Sequence, residues 1–102
     1  MDRLVKLAKI FSDKNRLNIL ALAVRDKELC VCEICDTLML SQPLVSRHLK
    51  QMRETDIFTS EQRGRWVIYS LSKDPDSILE CWINEIKKES STLPKLVCCE
   101  IK

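Results

Sequence analysis

This chain of 102 residues has one glycine, one histidine, three prolines and only 5% aromatic residues. With Gly64 as the only glycine, its turns have to be punctuated by polar clusters and by the prolines. Aromatics are too few to build a base-stacking platform: Trp66 and Tyr69 fall on opposite faces of one strand-like run. Long apolar runs are also missing, and the longest, at 17–24, is far short of the roughly 20 residues that span a bilayer. The first ten residues lack the apolar core and cleavage site of a signal peptide, so the expectation is a cytoplasmic protein with no membrane partner. No internal repeat and no low-complexity segment is present. The net charge of +2 is too small to argue for nucleic acid by its sum, which leaves its distribution to be read.

What is present is six cysteines and 45% hydrophobic residues. In a reducing compartment thiols stay free, so the cysteines point to metal binding or redox chemistry before structural disulfides. The size suits one domain near the point where a partner copy often supplies missing burial. Residues 1–90 read as that domain and 91–102 as a cysteine-containing tail.

The periodicity predicts four helices, a β-hairpin and a fifth helix. Leu4, Leu7, Ala8 and Phe11 mark a first amphipathic helix, which Ser12 can end while capping the next. The second, about 13–25, is richly apolar and central. After a break at Asp26 and Lys27 comes a short third helix, and a fourth begins at Ser41 with Pro43 in its first turn. Two short helices joined by a tight turn suggest helix-turn-helix. The β-rich runs that follow flank Arg63 and Gly64, where glycine supplies the positive φ of a hairpin. Asp74 and Pro75 can start a last helix with the stripe Ile78, Leu79, Trp82, Ile83 and Ile86. The expected fold class is mainly α with a β-hairpin wing, a winged helix-turn-helix.

At 100° per residue, Val45, Leu49 and Met52 share one side of the fourth helix. Pro43, Arg47 and Lys50 face away, with Ser46 and Gln51 beside them. That division suits a helix lying in a DNA groove, with Gln42, Ser46, Arg47 and Lys50 as candidate contacts and Arg63 and Arg65 as a basic wing tip. A solvated helix face is the plain alternative. His48 sits on the shoulder of the buried side, where a hydrogen-bonded structural histidine is the first reading and a phosphate contact the second.

Residues 28–38, ELCVCEICDTL, place Cys30, Cys32 and Cys35 within six positions. They could be a metal or metalloid trap, a redox couple, or small core residues. Together with SQPLVSRHLKQMRE at 41–54 and RGRWVIYSLS at 63–72, they resemble the ArsR/SmtB winged-helix repressors, and particularly the arsenical-resistance repressors with an ELCVC-x-x-C signature. The likeness spans about residues 3–86. It implies a homodimer, not an enzyme, that binds a palindromic operator and dissociates when As(III) or Sb(III) occupies Cys30, Cys32 and Cys35. It also puts Ser46, Arg47 and His48 in the DNA-reading stretch. Leu44 departs from the family, being apolar where relatives are often polar. Cys98 and Cys99 in the tail are a possible secondary thiol site.

Soft trivalent metalloids favour three thiolates, whereas structural zinc usually takes four ligands, so three cysteines without an adjacent histidine match the metalloid better. Cys32 and Cys35 are one turn apart, but on an ideal helix Cys30 lies about 200° from Cys32. Either Cys30 stands outside the helix, or metalloid binding unwinds its first turn; the second is expected at least in part. The alternatives are a thiol redox-responsive repressor, a cadmium, lead or zinc sensor, and, with least support, a thiol-disulfide oxidoreductase. Dimerisation is expected through Leu4, Leu7, Phe11, Leu79, Trp82 and Ile86.

Overall fold

A computed structural model describes residues 1–89 and 93–94. Along the chain run α1 (Asp2–Phe11), α2 (Lys14–Asp26), β1 (Glu28–Cys30), α3 (Val31–Leu38), α4 (Gln42–Glu54), β2 (Phe58–Arg63), β3 (Trp66–Leu71) and α5 (Ser77–Glu89). The fold is the winged helix-turn-helix expected: mainly helical, with one antiparallel sheet in the order β1-β3-β2.

The helix α2 forms the centre because it has no polar face in its middle. Residues 19–24 are buried without interruption, with Ile19, Leu20 and Leu22 fully inaccessible. On to it pack α1, α5, β1 and β3, each by its own apolar stripe. Burying each such Leu or Ile contributes roughly 1.5–3 kcal/mol, which makes this helix the main source of cohesion.

Two helices, α2 and α5, start where a carboxylate reaches their first backbone N–H groups, whereas Ser41 stands at the start of α4 without a side-chain capping bond. Asp13, rather than Ser12, caps α2, its carboxylate accepting from Asn15 N at 2.8 Å and Arg16 N at 3.2 Å. Ser12 closes α1 instead, its hydroxyl donating to Lys9 O at 2.7 Å. Similarly, α5 starts at Ser77, not at Pro75, because Asp76 accepts from Leu79 N at 3.2 Å. The scarcity of glycine has a structural consequence. Lys27, Met39 and Asp56, at the ends of α2, α3 and α4, hold positive φ of 74°, 57° and 61°. Gly64 takes φ +59° in the two-residue turn between paired Arg63 and Trp66, the glycine-first pattern of a tight hairpin.

Periodicity alone did not foresee that Glu28–Cys30 would join the wing as a strand, with Leu29 opposite Tyr69 and Cys30 opposite Ile68. Nor did it foresee what covers the stripes of α1 and α5. Leu7, Phe11, Leu79 and Ile86, expected in a subunit interface, are buried inside the protomer at 1%, 4%, 0% and 8% exposure. Phe11 lies against Trp82 with ring centroids 4.5 Å apart. The reason is that both helices face α2 before they face anything else, so a 3.6-residue stripe serves the monomer's own core. Of the expected interface, Leu4 stays exposed and Trp82 half-buried, with Val5 exposed beside Leu4.

Candidate thiol site and nucleic-acid interface

Cys30 stands outside the helix. It is the N-cap of α3 with extended backbone, φ −101° and ψ 164°, so of the two alternatives the structure has the first, and not the helical Cys30 from which the expected unwinding would start. This brings Cys30 Sγ to 3.2 Å from Cys32 Sγ, a contact that a continuous helix would forbid. The cap is reciprocal: Cys30 N donates to Glu33 Oε1 at 2.9 Å, while Cys30 Sγ accepts from the Glu33 backbone N–H. Glu33 is completely buried and Cys30 nearly so.

Burial pushes the Cys30 thiol pKa up, and the Glu33 carboxylate adds to the shift against the opposing backbone hydrogen bonds. Cys35 is raised as well, by burial first and then by Asp36. Both are therefore thiols at rest. Cys30, Cys35 and the outlying Cys81 on α5 are free, while Cys32 is disulfide-bonded, so thiol chemistry at Cys32 requires reduction first. Cys98 and Cys99 lie outside the described residues.

A cleft of about 460 Å³ opens on this cluster. One wall is Cys30, Val31, Cys32, Cys35 and Asp36; the other is Gln42 at the start of α4 together with Arg65, Trp66 and Val67 of the wing. Among the described residues no three His, Cys, Asp or Glu side chains are already gathered for a metal ion. The donor set nevertheless fits a soft trivalent ion. Two sulfurs are at contact distance and a third lines the same cleft, so closing the set requires a local shift of the first turn of α3.

On α4, Val45, Leu49 and Met52 are completely buried, while Gln42, Arg47 and Lys50 are exposed and Ser46 is half-exposed. The division expected of a groove-reading helix is present. At the wing tip, Arg65 is exposed, its guanidinium 5.5 Å from the Trp66 ring centre. Arg63 is exposed but engaged, donating to Glu28 at 2.6 and 3.0 Å and to Glu61 at 3.1 Å.

His48 takes the first of its two readings, a buried histidine held by a hydrogen bond, and not the outer side of α4 with the other candidate contacts. It is 3% exposed, and Arg16 Nη1 lies 3.3 Å from its Nδ1. Since a guanidinium can only donate, Nδ1 accepts, and the neutral ring carries its proton on Nε2. Burial pushes the pKa of His48 down, with Arg16 and Arg47 adding to the effect and Asp13 opposing it.

Arg16, which periodicity did not single out, is the node of this corner. Its Nε donates to Ile10 O at 2.8 Å and its Nη2 to Lys9 O at 3.0 Å, while Nη1 also reaches Gln51 Oε1 at 3.1 Å. One guanidinium thus ties the end of α1 to the α4 helix. The only hint in the sequence is a basic residue at the start of an otherwise apolar helix.

A family model described as bacterial regulatory protein, arsR family, matches residues 13–59, which run from the Asp13 cap to the first wing strand. An uncharacterized HTH-type transcriptional regulator of Methanocaldococcus jannaschii is 33% identical over 73 residues, 72% of this chain and 82% of that one. The chain belongs to the ArsR family. The arsenical resistance operon repressor of Escherichia coli strain K12 is 44% identical over 68 residues, 67% of this chain and 58% of the repressor. This ArsR-family chain therefore spans little more than half the length of that curated relative. Among solved structures, reduced HlyU from Vibrio cholerae superposes with a TM-score of 0.73 at 28% identity, covering 86% of this chain and 88% of that one. These proteins are similar in sequence or fold, and the two sequence relatives are named as transcriptional regulators rather than enzymes. Among the described residues no helix is long and apolar enough to cross a membrane.

Proposed function

We propose that this chain is a metalloid-responsive transcriptional repressor. It binds a palindromic operator as a homodimer and releases it when As(III) or Sb(III) occupies Cys30, Cys32 and Cys35. The observation that carries the reading is the cleft in which Cys30 and Cys32 sit 3.2 Å apart with Cys35, facing Gln42 and Arg65 of the DNA-side elements.

Cys30 belongs to two elements at once. It pairs with Ile68 in the wing sheet and caps α3, which packs against α4. Drawing its sulfur towards a metalloid shared with Cys35 pulls on the strand, the cap and the supporting helix together. Each site then favours a different arrangement of one element, with a coupling of about 1–3 kcal/mol per subunit. Two subunits acting together would release DNA more fully than one. Leu4, Val5 and Trp82 offer apolar surface to a second copy, and two-fold symmetry would set two α4 helices about one turn of DNA apart.

Operator binding is to be measured under a phosphine reductant with and without arsenite, for wild type and Cys32→Ser. Release of the wild type and retention by Cys32→Ser is expected. Equal retention by both refutes the reading. A redox-responsive repressor is the second reading, favoured by the disulfide state of Cys32 and its contact with Cys30. It predicts release on peroxide titration and no response to arsenite in the reduced protein.

A further inference from the structure

We propose that Glu33, aided by Asp36, makes the thiol site selective for trivalent over divalent soft ions by penalising a net negative complex. The proposal rests on the metalloid reading above and adds to it the group that sets ion preference.

The chemistry of capture differs by one charge. Once Cys32 is reduced from its disulfide by a thiol or a phosphine, arsenite, As(OH)3, exchanges three As–O bonds for three As–S bonds; the three thiol protons leave in three water molecules, and the product is neutral. A divalent ion such as Cd²⁺ forms three metal–sulfur bonds while three protons go to solvent, and the product carries one negative charge. Where that charge would sit is therefore decisive. Glu33 is 0% exposed and its carboxylate is hydrogen-bonded to the backbone N–H of Cys30 itself. Asp36 lines the cleft on the same wall. In a poorly solvated corner, a further negative charge beside a buried carboxylate is costly, whereas a neutral complex meets no such cost.

Among the described residues, two features beside the cleft act against this repulsion. The positive end of α3 favours anions, but Glu33 already occupies it as the acceptor of the capping box. Arg65 faces the thiols across the cleft, but it is exposed and placed over the Trp66 ring, so water screens its charge more than that of Glu33. Glu33 thus has two roles: it shapes the N-terminus of α3 and sets the charge that the site tolerates.

The test is the ratio of Cd²⁺ to arsenite affinity in the full chain under a phosphine reductant. Cadmium is read by thiolate-to-metal charge-transfer absorbance, and arsenite by tryptophan fluorescence, since Trp66 lines the cleft. Glu33→Gln keeps a cap acceptor and removes the charge; it should move the ratio towards cadmium by about tenfold. Glu33→Asp, which restores the charge, should return the ratio towards that of wild type, a rescue that a purely structural cap would not produce. Asp36→Asn, at an exposed position, should shift the ratio the same way by about twofold to threefold. If Glu33→Gln binds arsenite with an unchanged ratio, the selectivity proposal is overturned and the metalloid reading stands. Should Glu33→Gln fail to fold, an unchanged ratio in Asp36→Asn overturns it. Wild-type protein that binds no arsenite overturns both.

Discussion

Removing the Arg16 guanidinium tests whether the α1–α2 corner holds the DNA-facing helix. In Arg16→Met the aliphatic stem is kept, while the bonds to Ile10 O, Lys9 O, Gln51 Oε1 and His48 Nδ1 are lost together. Hydrogen bonds from a charged donor contribute about 1.5–3 kcal/mol each when well formed. The part-buried bond to Ile10 O at 2.8 Å meets that description best; the exposed bonds to Lys9 O and Gln51 Oε1 and the 3.3 Å approach to His48 count for less. Water can reach the freed carbonyls in part, and contacts through one group do not add, so a net loss of about 2–4 kcal/mol is expected. That is a large share of the roughly 5–15 kcal/mol that stabilises a domain. Urea unfolding should show a lower midpoint with an unchanged slope. Arg16→Lys should fall between, because a point charge cannot serve four acceptors held by a planar fork. A loss below about 0.5 kcal/mol in Arg16→Met, within the range of an ordinary surface substitution, would refute the reasoning.

Met39 holds φ 57° at the end of α3 with its side chain exposed, so Met39→Gly should raise stability by up to about 1 kcal/mol in urea unfolding. Stability should fall in acid in two stages. Burial lowers the folded pKa of His48 below its ordinary value of about 6.5, so the unfolded chain binds the extra proton first; this stability is present above pH 6.5 and is lost as pH falls through the lowered value. Asp13 is also lowered: burial opposes the shift, but the Arg16 and Asn15 backbone N–H groups overcome it, so its contribution is lost further down, below its ordinary value of about 3.9. Unfolding measured from pH 7.5 to 3 should show the first stage flattened in His48→Gln, and persistence of that stage counts against the assignment. At the wing, Arg65→Ala should lower DNA affinity uniformly across sequences and reduce the salt slope by about one, with Arg63→Ala changing the slope less because Glu28 and Glu61 already hold that side chain.

The local chemistry of the thiol stretch was readable before any fold was known. The angular conflict between Cys30 and Cys32 on one helix is a matter of spacing alone, and it required Cys30 to leave the helix or the helix to open. Spacing could not choose between these. The choice was made by β3: pairing with Ile68 holds Cys30 extended, and Glu33 secures the corner from inside. A three-residue strand has too short a pattern to announce itself, because its partner is about 40 positions away in sequence.

The same division runs through the rest of the molecule. The order of elements apart from β1, the central place of α2 and the inner and outer sides of α4 followed from the sequence, since hydrophobic period is a property of the chain itself. Which partner each apolar stripe meets was a tertiary matter, and α2 claimed Leu7, Phe11, Leu79 and Ile86 before a second copy could. Likewise, helical angle put His48 on the shoulder of the buried side, but only packing supplied Arg16 as its partner and drew Arg63 towards Glu28, because hydrogen bonds between distant segments leave no periodic trace. The sequence by itself settled which residue types lie on which side of each helix. The tertiary structure decided which of those sides stay open to DNA, to an ion or to another subunit.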